Sequence, residues 1–140
     1  ADDAGIYEYH RAMIYLKQQH AEAAAAALNR AVLKSPDFVP ALAELARLEF
    51  EAGRFARALE LLERARAQKE YRAESNILLA RVFLAQGRPQ DAGAALEAFL
   101  RGAVPTQRQY REMAEVYDRL GQPERAAAMR RQAGDAEPPK

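Results

Sequence analysis

Residues 42–65, LAELARLEFEAGRFARALELLERA, decide how this chain folds. Leu42, Leu45 and Ala46 recur at helical spacing before Gly53-Arg54, and Phe55, Ala58, Leu62 and Ala65 do so after it. Two amphipathic helices joined by a glycine turn are the reading. Small residues, Ala46 and Ala58, stand where those helices must approach each other closely. Sliding the sequence against itself by 34 residues aligns Gly53, Gly87 and Gly121 in one column. Ala12, Ala46, Ala80 and Ala114 fall into a second column, and Ala24, Ala58, Ala92 and Ala126 into a third. The stretch is therefore one copy of an internal repeat.

The copies can be followed outward from it. The first, about 5–38, has Tyr9, Ala12, Met13 and Leu16 on one helical face, and Ser35-Pro36 closes it because the residue before proline leaves the helical region. The second, about 39–72, carries Glu49 in an otherwise aromatic column, with Phe50 one residue on, and lacks a closing proline. The third, about 73–106, keeps Leu79, Ala80, Phe83, Ala92 and Leu96, while Phe99 replaces a small residue and predicts looser or shifted packing there. Pro89 fits the first turn of a helix, where its missing N–H costs nothing. The fourth, about 107–134, has Arg130 where Leu28, Leu62 and Leu96 stood, so its second helix reads as a polar cap. Residues 135–140, with Pro138-Pro139, read as a flexible tail.

A period of 34, two small-residue columns and a large apolar residue four after the second resemble the tetratricopeptide repeat (TPR) family. The resemblance covers residues 1–134 as one domain. It implies an all-α fold, a right-handed solenoid of four antiparallel helix pairs, about eight helices. The first repeat fits in part: Glu8 and Arg11 replace large apolar residues, while Ala12 and Tyr15 match. The run ALAELARLEFEAGRF, residues 41–55, is also similar to TPR proteins of bacterial envelope assembly, pilus pilotins and periplasmic segments ahead of export barrels. That likeness favours a periplasmic or envelope-associated location over a cytoplasmic one. The chain opens Ala1-Asp2-Asp3 rather than Met, as a trimmed or processed product does, and small residues mark export-signal cleavage sites.

Composition narrows the function further. Lys and Arg total 21 against 20 acids, so no global basic field points to nucleic acid. No apolar run reaches the roughly 20 residues of a membrane span. Cysteine is absent, which removes thiolate chemistry and disulfides. The two serines lack any recognisable histidine partner, the glycines form a 34-residue column rather than a phosphate loop, and His10 and His20 lack metal-ligand spacing. An enzyme, a cofactor and a metal are not expected; a non-catalytic protein-interaction scaffold is.

In stacked helix pairs the first helix of each repeat lines a concave groove, and its side chains off the packing stripe face the partner. Those residues are Tyr9, His10 and Met13; Glu44, Arg47 and Phe50; Ile77, Leu78 and Arg81; and Arg108 and Arg111. Arg47 and Arg81 occupy one column beside apolar side chains, the composition of a binding hot spot. They predict a protein or peptide ligand with an acidic group or C-terminal carboxylate. The plain alternative is that they pair with Glu44 and Glu74. Family members that clamp chaperone tails use lysine and asparagine at positions held here by Tyr9, Met13, Glu44, Glu74 and Leu78, so that ligand is not implied. The alternative function is self-association, as a homodimer through the N-terminal repeat, where Ile6, Tyr7 and Ile14 have no preceding repeat here to cover them and are expected to be buried in a dimer contact or by further sequence ahead of residue 1.

Overall fold

The computed structural model describes residues 3–135, so most of the expected tail, 136–140, lies outside the described residues. Among the described residues there are eight α-helices and no strand. They divide into two compact units, Ala1–Tyr71 and Arg72–Lys140, each holding two helix pairs.

In the first unit α1 (Asp3–Lys17) pairs with α2 (Ala21–Lys34), and α3 (Val39–Glu51) with α4 (Phe55–Arg66). The two pairs stack through α2 and α3. In the second unit α5 (Ser75–Ala85) pairs with α6 (Pro89–Gly102), and α7 (Gln107–Arg119) with α8 (Pro123–Gln132). There the stacking contact runs between the two first helices, α5 and α7.

The alanine columns do what their size dictates. Ala12, Ala46, Ala80 and Ala114, and Ala24, Ala58, Ala92 and Ala126, are all 0 % exposed. A side chain ending at Cβ lets two backbones meet at short range, and each buried pair then excludes water from the leucines beside it: Leu28, Leu62 and Leu96. Phe99, in the column that holds Ala31 and Ala65, is 1 % exposed.

Every pair turns in the same way. Gly53, Gly87 and Gly121 have φ of 81°, 72° and 72°, the left-handed region that glycine enters without steric cost. The next residue donates its N–H five residues back: Arg54 to the Glu49 carbonyl, Arg88 to Phe83 and Gln122 to Tyr117. This is the Schellman closure of a helix C-terminus. The first pair makes it too, His20 to Tyr15, but with Gln19 at φ 61° in the glycine's place. At the start of α7, Thr106 and Gln109 form a reciprocal capping box. Gly134 (φ 83°) ends α8, and Asp135 donates its N–H to the Arg130 carbonyl.

Candidate functional site

The side chains that the sequence assigns to a binding face lie on α1, α3, α5 and α7, and each unit carries its own share. In the first unit Tyr9 is half-buried, its ring edge-on to Phe38 with centroids 5.4 Å apart and beside His10 at 5.5 Å. Burial and then the negative charge of Glu44 push the Tyr9 hydroxyl above its ordinary pKa of 10.0. Met13 is half-buried, and His10, which follows Tyr9, is exposed. Together with Phe38 they make an apolar strip that reaches solvent without being flooded by it.

Beside the strip runs a row of charges along α3. The Arg47 guanidinium donates to Glu44 through Nη2 at 2.9 Å and Nε at 3.2 Å, and to Glu51 through Nη1 at 2.8 Å. Arg47 is therefore held between two carboxylates of its own helix. Burial alone would lower its pKa; the hydrogen bonds and charges of Glu44 and Glu51 outweigh that and raise it. Phe50 packs against Phe55 at 5.5 Å and joins α3 to α4 as well as facing outward.

In the second unit the assigned residues fare unequally. Ile77 is 3 % exposed and belongs to the core, so the chain itself covers it. It sits one residue from Asn76, also buried, on the packing stripe of a short and mostly apolar helix where inward and outward faces are hard to tell apart by pattern. Leu78 is half-buried. Arg81 approaches Glu115 of α7 at 3.8 Å, without a partner on its own helix. Glu74, the neighbour foreseen for Arg81, pairs with Arg72 at 3.0 Å instead. Arg108 meets Glu112 at 3.2 Å. Arg111 grips Asp135 through both carboxylate oxygens, at 3.0 to 3.1 Å, and this holds the Asp135 carboxyl below its usual value.

Two buried carboxylates escaped sequence reasoning. Glu8, 6 % exposed, takes a hydrogen bond from Arg30 at 3.1 Å and faces Lys34 at 3.5 Å and Arg11 at 4.0 Å. Burial works to raise its pKa; the Arg30 hydrogen bond and the three cationic charges outweigh it, and the group is held below its ordinary 4.5. Glu49, 7 % exposed, is gripped by Arg54 at 2.8 and 3.2 Å. Their signal was available as two departures from the repeat pattern, with cations on the same and the partner helix for Glu8 and in the glycine turn for Glu49.

A cleft of about 790 Å³ also lies in the second unit, lined among others by Pro89, Gly93, Glu97, Leu120, Pro123 and Arg125. None of the residues assigned to the binding face lines it. The described residues hold no group of three or more His, Asp or Glu side chains placed to bind a metal, and none of their helices is long and apolar enough to cross a membrane.

With this geometry in view, the comparisons with known proteins are specific about fold. One tetratricopeptide repeat model matches twice, over residues 15–69 and 49–111, and a second such model matches residues 107–132. No curated protein matches the sequence. Among solved structures, a thermophilic TPR protein of Thermus thermophilus is similar with a TM-score of 0.80 at 21% identity, over 93% of this chain and 73% of that one. A crystal structure of MamA is similar with a TM-score of 0.76 at 19% identity, over 92% of this chain and 75% of that one. Identities at this level speak to the fold.

Proposed function

The chain belongs to the tetratricopeptide repeat family, and from that premise we propose that it is a non-catalytic scaffold binding a protein or peptide on the faces of its first helices. The observation that carries this reading is the strip of Tyr9, Met13 and Phe38 beside the Glu44–Arg47–Glu51 row. Half-buried aromatic and thioether side chains give apolar anchorage, and a row of mutually satisfied charges gives a polar rim.

The charge pattern also decides how an acidic ligand would be held. Arg47 already has two carboxylates, and a ligand carboxylate there must displace one of them. Arg81, with one loose contact at 3.8 Å, is the guanidinium free to accept an acidic side chain or a C-terminal carboxylate. Such a charge-assisted bond contributes roughly 1.5–3 kcal/mol when water is excluded. The likeness of residues 41–55 to envelope-assembly proteins supports an assembly role in that setting.

A peptide library selected against the immobilised chain tests the reading, with each face probed by its own variant. Tyr9→Ala or Met13→Ala should weaken the selected peptides about tenfold at every salt concentration, roughly 1.4 kcal/mol. Arg81→Ala should weaken those that carry an acid and flatten their salt dependence, while Arg47→Ala changes little. Selected peptides that bind all four variants as tightly as the parent would overturn the assignment of these faces.

A further inference from the structure

Apart from the faces assigned above, the outer side of the first helix pair carries an unusual combination. Tyr7 is 64% exposed and Ile14 56% exposed, one above the other at i and i+7 on α1. Between them Arg11 lies with its guanidinium 5.9 Å from the Tyr7 ring. Arg11, Arg30 and Lys34 converge on the one buried carboxylate of Glu8. Glu8 alone does not balance the three cations it faces, and with the exposed Asp3 one turn before Tyr7 counted in, the face stays net positive; all three cationic side chains keep more than two fifths of their surface exposed. Leu33, 79% exposed, stands next to Lys34 on α2.

The repeat itself shows what shape fits this surface. One period on, Tyr7 and Ile14 correspond to Ala41 and Leu48 of α3, which are 0% and 8% exposed. Within the first unit α3 is covered by a helix, α2, whose Ala27 and Ala31 are fully buried. The same stripe on α1 is thus built to receive a helix with small and medium apolar residues at i, i+3, i+4 and i+7. What distinguishes it from the α3 stripe is charge: Leu45, buried, stands where Arg11 stands.

We infer that the outer face of the first helix pair, formed by Tyr7, Ile14 and the Arg11–Arg30–Lys34 cluster, docks an amphipathic helix whose apolar stripe is flanked by Asp or Glu. Charge complementarity selects this occupant. Isologous pairing with the same face of a second copy would bring two surplus-positive clusters together, and the last turn of α8, with Arg130 and Arg131, is basic as well. A helix offering carboxylates neutralises the positive charge that Glu8 and Asp3 leave unbalanced. This surface is distinct from the Tyr9–Met13 strip and stands or falls independently of the function proposed for it.

The probe is a stapled helix of α2's length with Leu at i, i+3, i+4 and i+7 and Glu at the flanks, its binding to the whole chain read by fluorescence anisotropy. A control peptide carries Lys at the flanks. The Glu peptide should bind about tenfold or more tightly than the Lys peptide, and Ile14→Asp or Lys34→Glu should reduce that binding by at least as much. Tyr9→Ala should leave it unchanged. Failure of both peptides to bind, equal binding of both, or indifference to Ile14→Asp overturns the inference. Sedimentation showing a dimer that Ile14→Asp dissolves would assign the face to a second copy instead. Binding to phosphatidylserine vesicles, without binding to the Glu peptide, would assign it to an anionic lipid surface.

Discussion

The two units share their alanine columns and differ in almost everything placed around them. The first stacks its pairs through α2 and α3; the second does so through α5 and α7. The first buries two carboxylates, Glu8 and Glu49, each under arginine. In the second, those same columns hold Asn76, buried and neutral, and Phe83, over which Arg88 stacks at 4.6 Å. Small side chains fix how closely two helices approach, and no substitute does that job. The large positions need only volume and satisfied polarity, which an aromatic ring or a matched ion pair can both supply.

The largest test of this difference uses the leucine column. Leu62→Ala removes a fully buried side chain and should cost about 2–5 kcal/mol in denaturant unfolding. Arg130→Ala, one of the same column in the second unit, loses mainly a part-exposed pair with Asp118 and should stay within about 1 kcal/mol. Similar losses at both sites would mean that α8 is packed like the other second helices.

Two glycines should then respond with opposite sign. A Cβ at Gly5 in the first unit would lie 2.0 Å from the Ser35 hydroxyl and 2.5 Å from its Cβ, so Gly5→Ala should destabilise by about 1–3 kcal/mol. A Cβ at Gly93, inside α6 of the second unit, meets nothing within 4 Å, and Gly93→Ala should stabilise by about 0.5–1 kcal/mol. Melting temperatures that move in the same direction would remove the close approach of α1 to Ser35 from the account.

A smaller effect is expected at the first turn, where Gln19 holds φ 61° while its counterparts are glycine. Gln19→Gly should relieve about 1 kcal/mol of left-handed strain, and Gly53→Gln should impose about as much. The finest test is acid titration. Glu8 in the folded chain titrates below its ordinary 4.5, so the folded state keeps the charge where the unfolded chain accepts a proton. Its contribution is complete above that ordinary value and is lost as pH falls through the lowered one. Glu8→Gln should flatten the stability profile across that acid window. Asn76 in the same column has no proton to exchange, so Asn76→Ala should leave the slope unaltered.

The fold was legible because period and residue size are written directly in the chain. Ala46 and Ala80 can be read as contact points with no knowledge of the third dimension. Buried charge could not be read this way. Glu8 looks like a failed apolar position until Arg30, 22 residues on, is seen to reach it. The binding face was legible only as a list of outward positions on first helices. Whether each side chain is available there depends on neighbours: Arg47 is occupied by Glu44 and Glu51, Arg111 by Asp135, and Ile77 is inside. Gly5 was silent for a related reason. Its role lies in the approach of Ser35, while Gly53 declares itself by position between two helices.

The turn after each first helix has a consequence for how such a chain can change over generations. Its geometry sets the residue after the left-handed position against the one five before it, so Arg54 reaches Glu49 and Arg88 reaches Phe83. A guanidinium tolerates either neighbour, because it can pair with a carboxylate or lie on a ring. Once arginine is in place, the buried position can drift between aromatic and acid through single steps that never strand a charge. The reverse order, acid first, would pass through an unpaired carboxylate in the interior. Arginine at this site is thus permissive, compatible with an acid or a ring at the buried position five residues before it.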